Sequence, residues 1–250
     1  MMVAMTGTPQ LAHSKERVKR AGDRLRGWLL NEVDLTEVEL SAELDVIEDF
    51  RACHAAPLTR VGAGLRYYVE RYSTVKPEGR PVVAQRLKRM RTIADKLVRE
   101  PGMGLSRMYD IGGCRALFAS IDEMRRSVAD LERQRRWDIV RIRDYVENPR
   151  PDSGYRAIHM IVRKDGFLIE CQLRTVSQHA WAELIERTDR RTGMGLKAAR
   201  APADVTEYYR LGADLLAQLD AGDERDPETL RRFQALHAQV QQRLGGKETS

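Results

Sequence analysis

The chain has little sulfur to work with. Three cysteines in 250 residues, Cys53, Cys114 and Cys171, stand far apart, and none is spaced to pair or to share a metal. That excludes a disulfide framework and a thiolate metal site of the usual spacing. Buried free thiols in a reducing cytoplasm are the expectation. Long apolar runs are missing too: no stretch could span a bilayer, and the N-terminus lacks the apolar core of a signal peptide. A cytoplasmic protein without a membrane anchor is therefore expected. No internal repeat is visible, which argues against a solenoid.

Charge is what the chain has in plenty. Lys and Arg total 43 against 37 Asp and Glu, a net charge of +6, which points to an anionic partner such as a nucleotide or nucleic acid. The charge is unevenly distributed. Residues 13–30 are basic with helical spacing, whereas Asn31–Phe50 holds eight acidic and no basic residues, also at helical spacing. The acidic helix reads as a solvated face. A third helix covers about Pro57–Tyr72, and Pro77, Gly79 and Pro81 then mark a break. Residues 1–12, small and polar, read as disordered. Two further helices follow residue 200, at about Asp204–Leu219 and from Asp226-Pro227 onward, where Asp caps and Pro takes the first helical position. The division expected is 1–74, an N-terminal helical extension; 75–192, a central domain; and 193–250, a C-terminal helical extension.

The centre of the chain is Asp144–Thr175. Two apolar runs, Tyr155–Arg163 and Phe167–Leu173, flank Lys164-Asp165-Gly166, a strong hairpin signal. Because strand side chains alternate, Phe167, Ile169, Cys171 and Leu173 share one face with Ile158, Met160 and Val162. The other face gathers Tyr155, His159, Glu170, Gln172 and Arg174, an unusual set for a merely wet surface.

Upstream, Gln85–Arg99 reads as a helix. Leu87, Met90, Ala94 and Leu97 form its apolar stripe, and Lys88, Thr92 and Lys96 fall at i, i+4 and i+8 on another face, suited to a polyphosphate. Asp110 then precedes a glycine pair and a strand, Cys114–Phe118. A helix over Asp122–Arg136 has a basic outer face that includes Arg133 and Arg136, and Trp137–Val146 is a strand returning to the hairpin. Helices alternating with these strands give an α/β (α+β) domain with a mixed sheet.

The segment D-Y-V-E-N-P-R-P-D-S-G-Y-R-A-I-H followed by I-E-C-Q-L-R-T resembles the signature of RelA/SpoT-type synthetases, including small alarmone synthetases. Arg86, Lys88, Thr92 and Lys96 are similar to that family's R-x-K-x-x-x-S-x-x-x-K segment, and Asp110, Gly113 and Arg115 to its D-x-x-G-x-R segment. The resemblance implies a nucleotidyltransferase-like fold and transfer of pyrophosphate from ATP to a ribose 3′-hydroxyl, releasing AMP. It implies that Arg86, Lys88, Thr92, Lys96 and Arg115 hold ATP, and that Asp110 and Glu170 bind Mg²⁺ or act as catalytic carboxylates. Tyr155 would stack on the acceptor base, with Arg150, His159, Gln172 and Arg174 about the acceptor. Arg150 stands where the family usually has lysine, and Asp152-Ser153-Gly154 departs from the commoner Asn-Gly, which leaves acceptor choice open. No His-Asp dipeptide occurs, and nothing resembles the family's hydrolase domain.

The family divides by acceptor. One branch uses GDP or GTP; a toxic branch, found in toxin–antitoxin and phage-defence settings, modifies the 3′ end of tRNA. The basic helices and the net charge lean towards tRNA, with Arg133 and Arg136 as contacts. That branch would bring an antitoxin protein as partner, and a homo-oligomer stays open. A non-catalytic nucleic-acid-binding domain would explain the charge but not Asp110 and Glu170 among basic groups.

Overall fold

The computed structural model describes residues 12–75, 82–196 and 200–245. The expected disorder of residues 1–11 and the break at Pro77, Gly79 and Pro81 lie outside these residues. In chain order the elements are α1 (Lys15–Leu29), α2 (Glu37–Ala52), α3 (Ala55–Tyr72), β1 (Val83–Leu87), α4 (Met90–Arg99), β2 (Gly112–Phe118), α5 (Ile121–Gln134), β3 (Asp138–Asp144), β4 (Ile158–Lys164), β5 (Phe167–Thr175), α6 (Val176–Thr192), α7 (Ala203–Ala221) and α8 (Pro227–Gly245). The five strands form one mixed sheet in the order β1-β2-β5-β4-β3. Within it β2 and β5 run parallel; the other pairs are antiparallel. The expected α/β (α+β) architecture is what the chain adopts. No described helix is long and apolar enough to cross a membrane.

The hairpin forms as its sequence requires. Lys164 pairs with Phe167, and the two loop residues, Asp165 (φ 51°) and Gly166 (φ 84°), take the positive φ of a type I′ turn. Ile158, Met160, Val162, Ile169, Cys171 and Leu173 are all buried against two helices: α3 supplies Val61, Leu65 and Tyr68, and α5 supplies Met124, Val128 and Leu131. The opposite face of the sheet is left for chemistry.

The stretch Gln85–Arg99 is not one helix. Val83–Leu87 is an edge strand hydrogen-bonded to β2, and the helix begins only at Met90. Leu87 packs with the sheet core, while Ile93 and Leu97 pack with the N-terminal helices. The three-and-four spacing therefore joined two stripes that belong to different cores. Pairing with a neighbouring strand, a non-local gain, overrode the local period.

One further expectation changes, and another is met with a contact that the sequence does not show. The acidic face of α2 is not simply solvated: Glu43 is 6% exposed and paired with Arg17 and with Arg24 of α1 (Arg24 Nε 3.0 Å), and Arg24 also reaches Glu39 at 3.1 Å. The basic and acidic blocks neutralise each other across a helix pair. Cys114 and Cys171, isolated in sequence, are free buried thiols that the parallel register of β2 and β5 brings to 3.2 Å.

The two ends of the chain support different parts of the domain. α1 and α2 share a core with α4 (Val18, Leu25, Ile47, Phe50, Ile93, Leu97), whereas α7 and α8 share theirs with α6 (Ile185, Tyr208, Tyr209, Leu236, Val240).

Candidate active site

Strand register sets the site. Residues directly opposite in a sheet share a face, so Arg86, Gly113 and Glu170 form one row across β1, β2 and β5. Ala84, Arg115, Gln172 and His159 form the next, continuing onto β4. Gly113 leaves room in the first row between Arg86 and Glu170. All the expected site residues except Thr92, Lys96, Arg133 and Arg136 line one cavity of about 450 Å³, within the range of small-molecule sites.

At the β1 end the cavity is governed by ion pairs. Asp110, in the loop before β2, accepts a hydrogen bond from Lys88 Nζ at 2.8 Å, and Lys96 Nζ lies 3.0 Å from its other oxygen. Lys96 thus adds a second ion pair on the same carboxylate. Burial alone would raise the Asp110 pKa, but the two ammonium groups outweigh it and hold the carboxyl below its ordinary value. Lys96 is 5% exposed and lies 4.8 Å from the ring centre of Tyr109. Thr92, on the same helix, is exposed. Burial first, then the positive charges of Arg174 and Arg86, lower the Arg115 pKa against the opposing charges of Glu183 and Glu186 on α6, and its buried Nε has no hydrogen-bond partner. A guanidinium left in that condition is set for an anionic ligand.

At the β4 end the cavity is a closed hydrogen-bonded ring. Arg174 donates to the Tyr155 hydroxyl (2.8 Å) and to Gln172 Oε1 (2.8 Å). Tyr155 bonds His159 Nε2 (2.7 Å), and His159 Nδ1 reaches Glu170 Oε1 at 3.2 Å. Gln172 Nε2 donates to Glu170 Oε2 at 2.9 Å. With the His159 proton on Nδ1, both arms run from Arg174 and end as donors to the two oxygens of Glu170. Burial raises the Glu170 pKa, yet the bonds from His159 and Gln172 prevail and hold it below its ordinary value. Glu170 is thus an oriented carboxylate anion. Arg150 lies over the rings of Tyr145 (5.1 Å) and Tyr155 (5.7 Å).

Arg133 and Arg136 are elsewhere. α5 packs on the core face of the sheet, so its C-terminal end lies behind the strands that carry Glu170, and Arg133 is paired with Asp130. Conversely, α6 contributes a wall that the sequence reading left out: Ala182, Ile185 and Glu186 line the cavity. Their i, i+3, i+4 spacing was the available signal.

Comparison with known proteins meets this geometry at the same residues. Residues 85–188 match the model of the region found in RelA / SpoT proteins. That match covers 104 of the 250 residues, the part of the chain that holds nearly all of the cavity lining. An uncharacterized protein of Mycobacterium tuberculosis is 30% identical over 151 residues, 55% of this chain and 54% of that protein. The GTP pyrophosphokinase YwaC of Bacillus subtilis is 29% identical over 113 residues, 40% of this chain and 53% of that protein. The chain spans about half the length of the curated relatives it matches. Among solved structures, the small alarmone synthetase 2 of Bacillus subtilis superposes with a TM-score of 0.57 at 21% identity, over 70% of this chain and 94% of that one. The small alarmone synthetase 1 of the same organism, bound to its product pppGpp, gives 0.57 at 20%, over 77% and 97%. At these identities the likeness is one of fold.

The RelA/SpoT resemblance implies Mg²⁺, and the donor set allows it in one form. Among the described residues no group of three or more His, Cys, Asp or Glu could hold a metal ion. Asp110 and Glu170 are hard oxygen donors facing one cavity. Mg²⁺ commonly takes one or two carboxylates and completes its shell with substrate phosphate and water. The residues fit an ion that arrives with the nucleotide rather than a resident one.

Proposed function

We propose that the chain transfers the pyrophosphoryl group of ATP to the ribose 3′-hydroxyl of a guanosine nucleotide, GDP or GTP, with release of AMP. One observation carries this reading: a single cavity joins a cationic cradle (Arg86, Lys88, Arg115) to an oriented carboxylate, Glu170, beside an aromatic ring, Tyr155. The acceptor oxygen forms a bond to the β-phosphorus, the bond from that phosphorus to the α,β-bridging oxygen breaks, AMP leaves with the electron pair, and the hydroxyl proton is released to solvent. Such transfers need positioning and charge neutralisation more than covalent help. Arg86, Lys88 and Arg115 would hold the polyphosphate, and Lys88 would pass from Asp110 to a phosphate oxygen. Tyr155 and Arg150 would hold the acceptor base, and Gln172 and Arg174 would keep Glu170 and Tyr155 in register. Glu170, with a pKa below its ordinary value, is a weak base; its part is to accept the hydrogen bond of the 3′-hydroxyl and to orient it. Asp110 and Glu170 would hold Mg²⁺, which supplies neutralisation of charge on the phosphate oxygens.

The choice of acceptor leans on two things. A relative named GTP pyrophosphokinase supports GDP or GTP. The basic residues that favoured the 3′ end of tRNA, Arg133 and Arg136, lie behind the sheet, away from the cavity. The tRNA reading, with its antitoxin partner, keeps the net charge of +6 in its favour. The test is to incubate the protein with γ-labelled ATP and, in parallel, GDP, GTP and tRNA. Label is expected in the guanosine nucleotides, with one AMP released per transfer. Label in tRNA alone would overturn the acceptor, and no AMP with any acceptor would leave a non-catalytic binding domain.

A further inference from the structure

The loop that carries Arg150 and Tyr155 does not stand on the catalytic sheet alone. It closes on itself through Gly154 N to Arg150 O (2.8 Å) and Arg150 N to Tyr155 O (3.2 Å). Its outer side then rests on α7, far along the chain. Gly154 (φ 63°) approaches so closely that a Cβ there would lie 2.6 Å from Ala213 Cβ and 3.2 Å from the Arg210 backbone. The next residue but one, Arg156, donates to Gly154 O (3.0 Å) and to Asp214 Oδ1 (2.8 Å). Its side chain is only 14% exposed and that of Asp214 29%. Tyr155 is therefore flanked on both sides by residues fastened to one helix. The far end of α7 grips the other strand of the site: Asp220 accepts from Thr175 Oγ1 (2.6 Å) and from Ser177 Oγ, immediately after Arg174.

We propose that α7 is a brace that sets affinity for the acceptor, with Asp214 acting through Arg156 and Gly154 through close packing to hold Tyr155 where a base can stack. This deepens the reading of Tyr155 as the acceptor platform and rests on it. Asp214, Arg156 and Asp220 are positioning residues; none of them lines the main cavity. The brace is fastened to the acceptor half. In the donor half, α4 and the loop before β2 pack with α1 and α2, and β1 packs with α3. A regulator that moved the C-terminal helices would act on acceptor use through these contacts.

The experiment compares wild type with Asp214→Ala, Asp214→Asn and the exchanged pair Arg156→Asp with Asp214→Arg. Loss of a partly buried charged hydrogen bond is expected to raise the acceptor KM about tenfold in Asp214→Ala. ATP KM should stay within about twofold, and Asp214→Asn, which keeps one acceptor oxygen, should fall between. The exchanged pair should regain part of the loss, which general destabilisation would not allow. A second readout needs no turnover: amide hydrogen exchange over residues 150–157 should quicken in Asp214→Ala while that over 83–99 is unchanged. Unchanged exchange in the loop, or acceptor and ATP KM rising together, would overturn the brace. If wild type transfers nothing yet loop exchange responds, the brace stands and the catalytic reading falls.

Discussion

The two halves of the cavity hold their charges in opposite ways. The donor half is cationic and open: Lys88 and Lys96 share one carboxylate, and Arg115, faced by Glu183 and Glu186, has a buried Nε with no partner. The acceptor half is closed on itself: Tyr155, His159, Glu170, Gln172 and Arg174 form a ring in which both Glu170 oxygens are donated to, though Arg174 also keeps a buried Nε without a partner. A half-satisfied polar site is costly unless a ligand completes it. A ring closed by five hydrogen bonds is held in place before any ligand arrives. The donor half is thus shaped to gain most from a polyphosphate, and the acceptor half to hold a hydroxyl and a base in a geometry already set.

The sharpest way to break this contrast is to neutralise the point where the ring ends. Glu170→Gln keeps the size and one acceptor oxygen but removes the charge. Transfer should fall about a thousandfold, since removal of one charged orienting group costs on that order. The melting temperature should change little, because the side chain faces the cavity rather than the core. Near wild-type turnover would remove Glu170 from the chemistry.

A smaller effect separates the halves. Lys88→Ala should weaken ATP binding about tenfold, the value of one charge-assisted hydrogen bond. Asp110→Asn should do the opposite to binding: it frees Lys88 and Lys96, so ATP affinity should hold or rise while transfer falls steeply. Equilibrium ATP binding beside turnover reads both. If the two variants lost ATP affinity alike, the hand-over of Lys88 from Asp110 to phosphate would be wrong.

Support for the donor half carries its own pH dependence. His54 is 1% exposed, sits between Phe50 and Phe167, and donates from Nδ1 to Phe50 O at 2.8 Å. Burial pushes its pKa down from 6.5 to about 4, against a smaller opposing effect of the Phe50 bond. The unfolded chain therefore binds this proton first, and stability falls as pH drops from 6.5 towards 4, by an upper limit of about 3 kcal/mol. Asp110 and Glu170, both lowered, act in the same direction but only as pH falls through and below the ordinary carboxylate range. Thermal melts of wild type and His54→Gln should diverge in slope between pH 6.5 and 4; parallel curves would assign the acid loss elsewhere.

Legibility in the sequence followed how local each cause is. The β4–β5 hairpin could be read because alternation and Asp165-Gly166 are properties of adjacent residues. β1 could not: five residues at a sheet edge, with Leu87 in phase with α4, look like helix until β2 is there to pair with them. The site residues on β5 were legible as a face, but their closure into a ring needed Tyr155 and His159 set against Arg174 and Glu170. The contact of Arg156 with Asp214 joins positions 58 apart, and nothing near either residue announces it. The same is true of Cys114 and Cys171, which only the parallel register makes neighbours.

The smallest effect concerns the acceptor. Arg133 and Arg136 stand at the end of α5, on the face of the sheet opposite Glu170, and Arg133 is exposed with its charge shared by Asp130. Charge reversal at both should therefore leave transfer to GDP within about twofold, since surface substitutions away from a site seldom matter more. A mononucleotide neutralises few charges, so turnover with GDP should also respond weakly to salt. A tRNA, by contrast, would wrap past the cavity, and each neutralised phosphate would steepen the loss of affinity with salt. Measuring turnover with GDP and with tRNA across a salt series, in wild type and in the Arg133→Glu, Arg136→Glu variant, separates the two. A flat response and an indifferent variant with GDP as the better acceptor would agree with a site that ends at Tyr155. A steep salt dependence with tRNA, lost on reversing both arginines, would extend the acceptor site around the sheet edge at β3 and restore tRNA as the substrate.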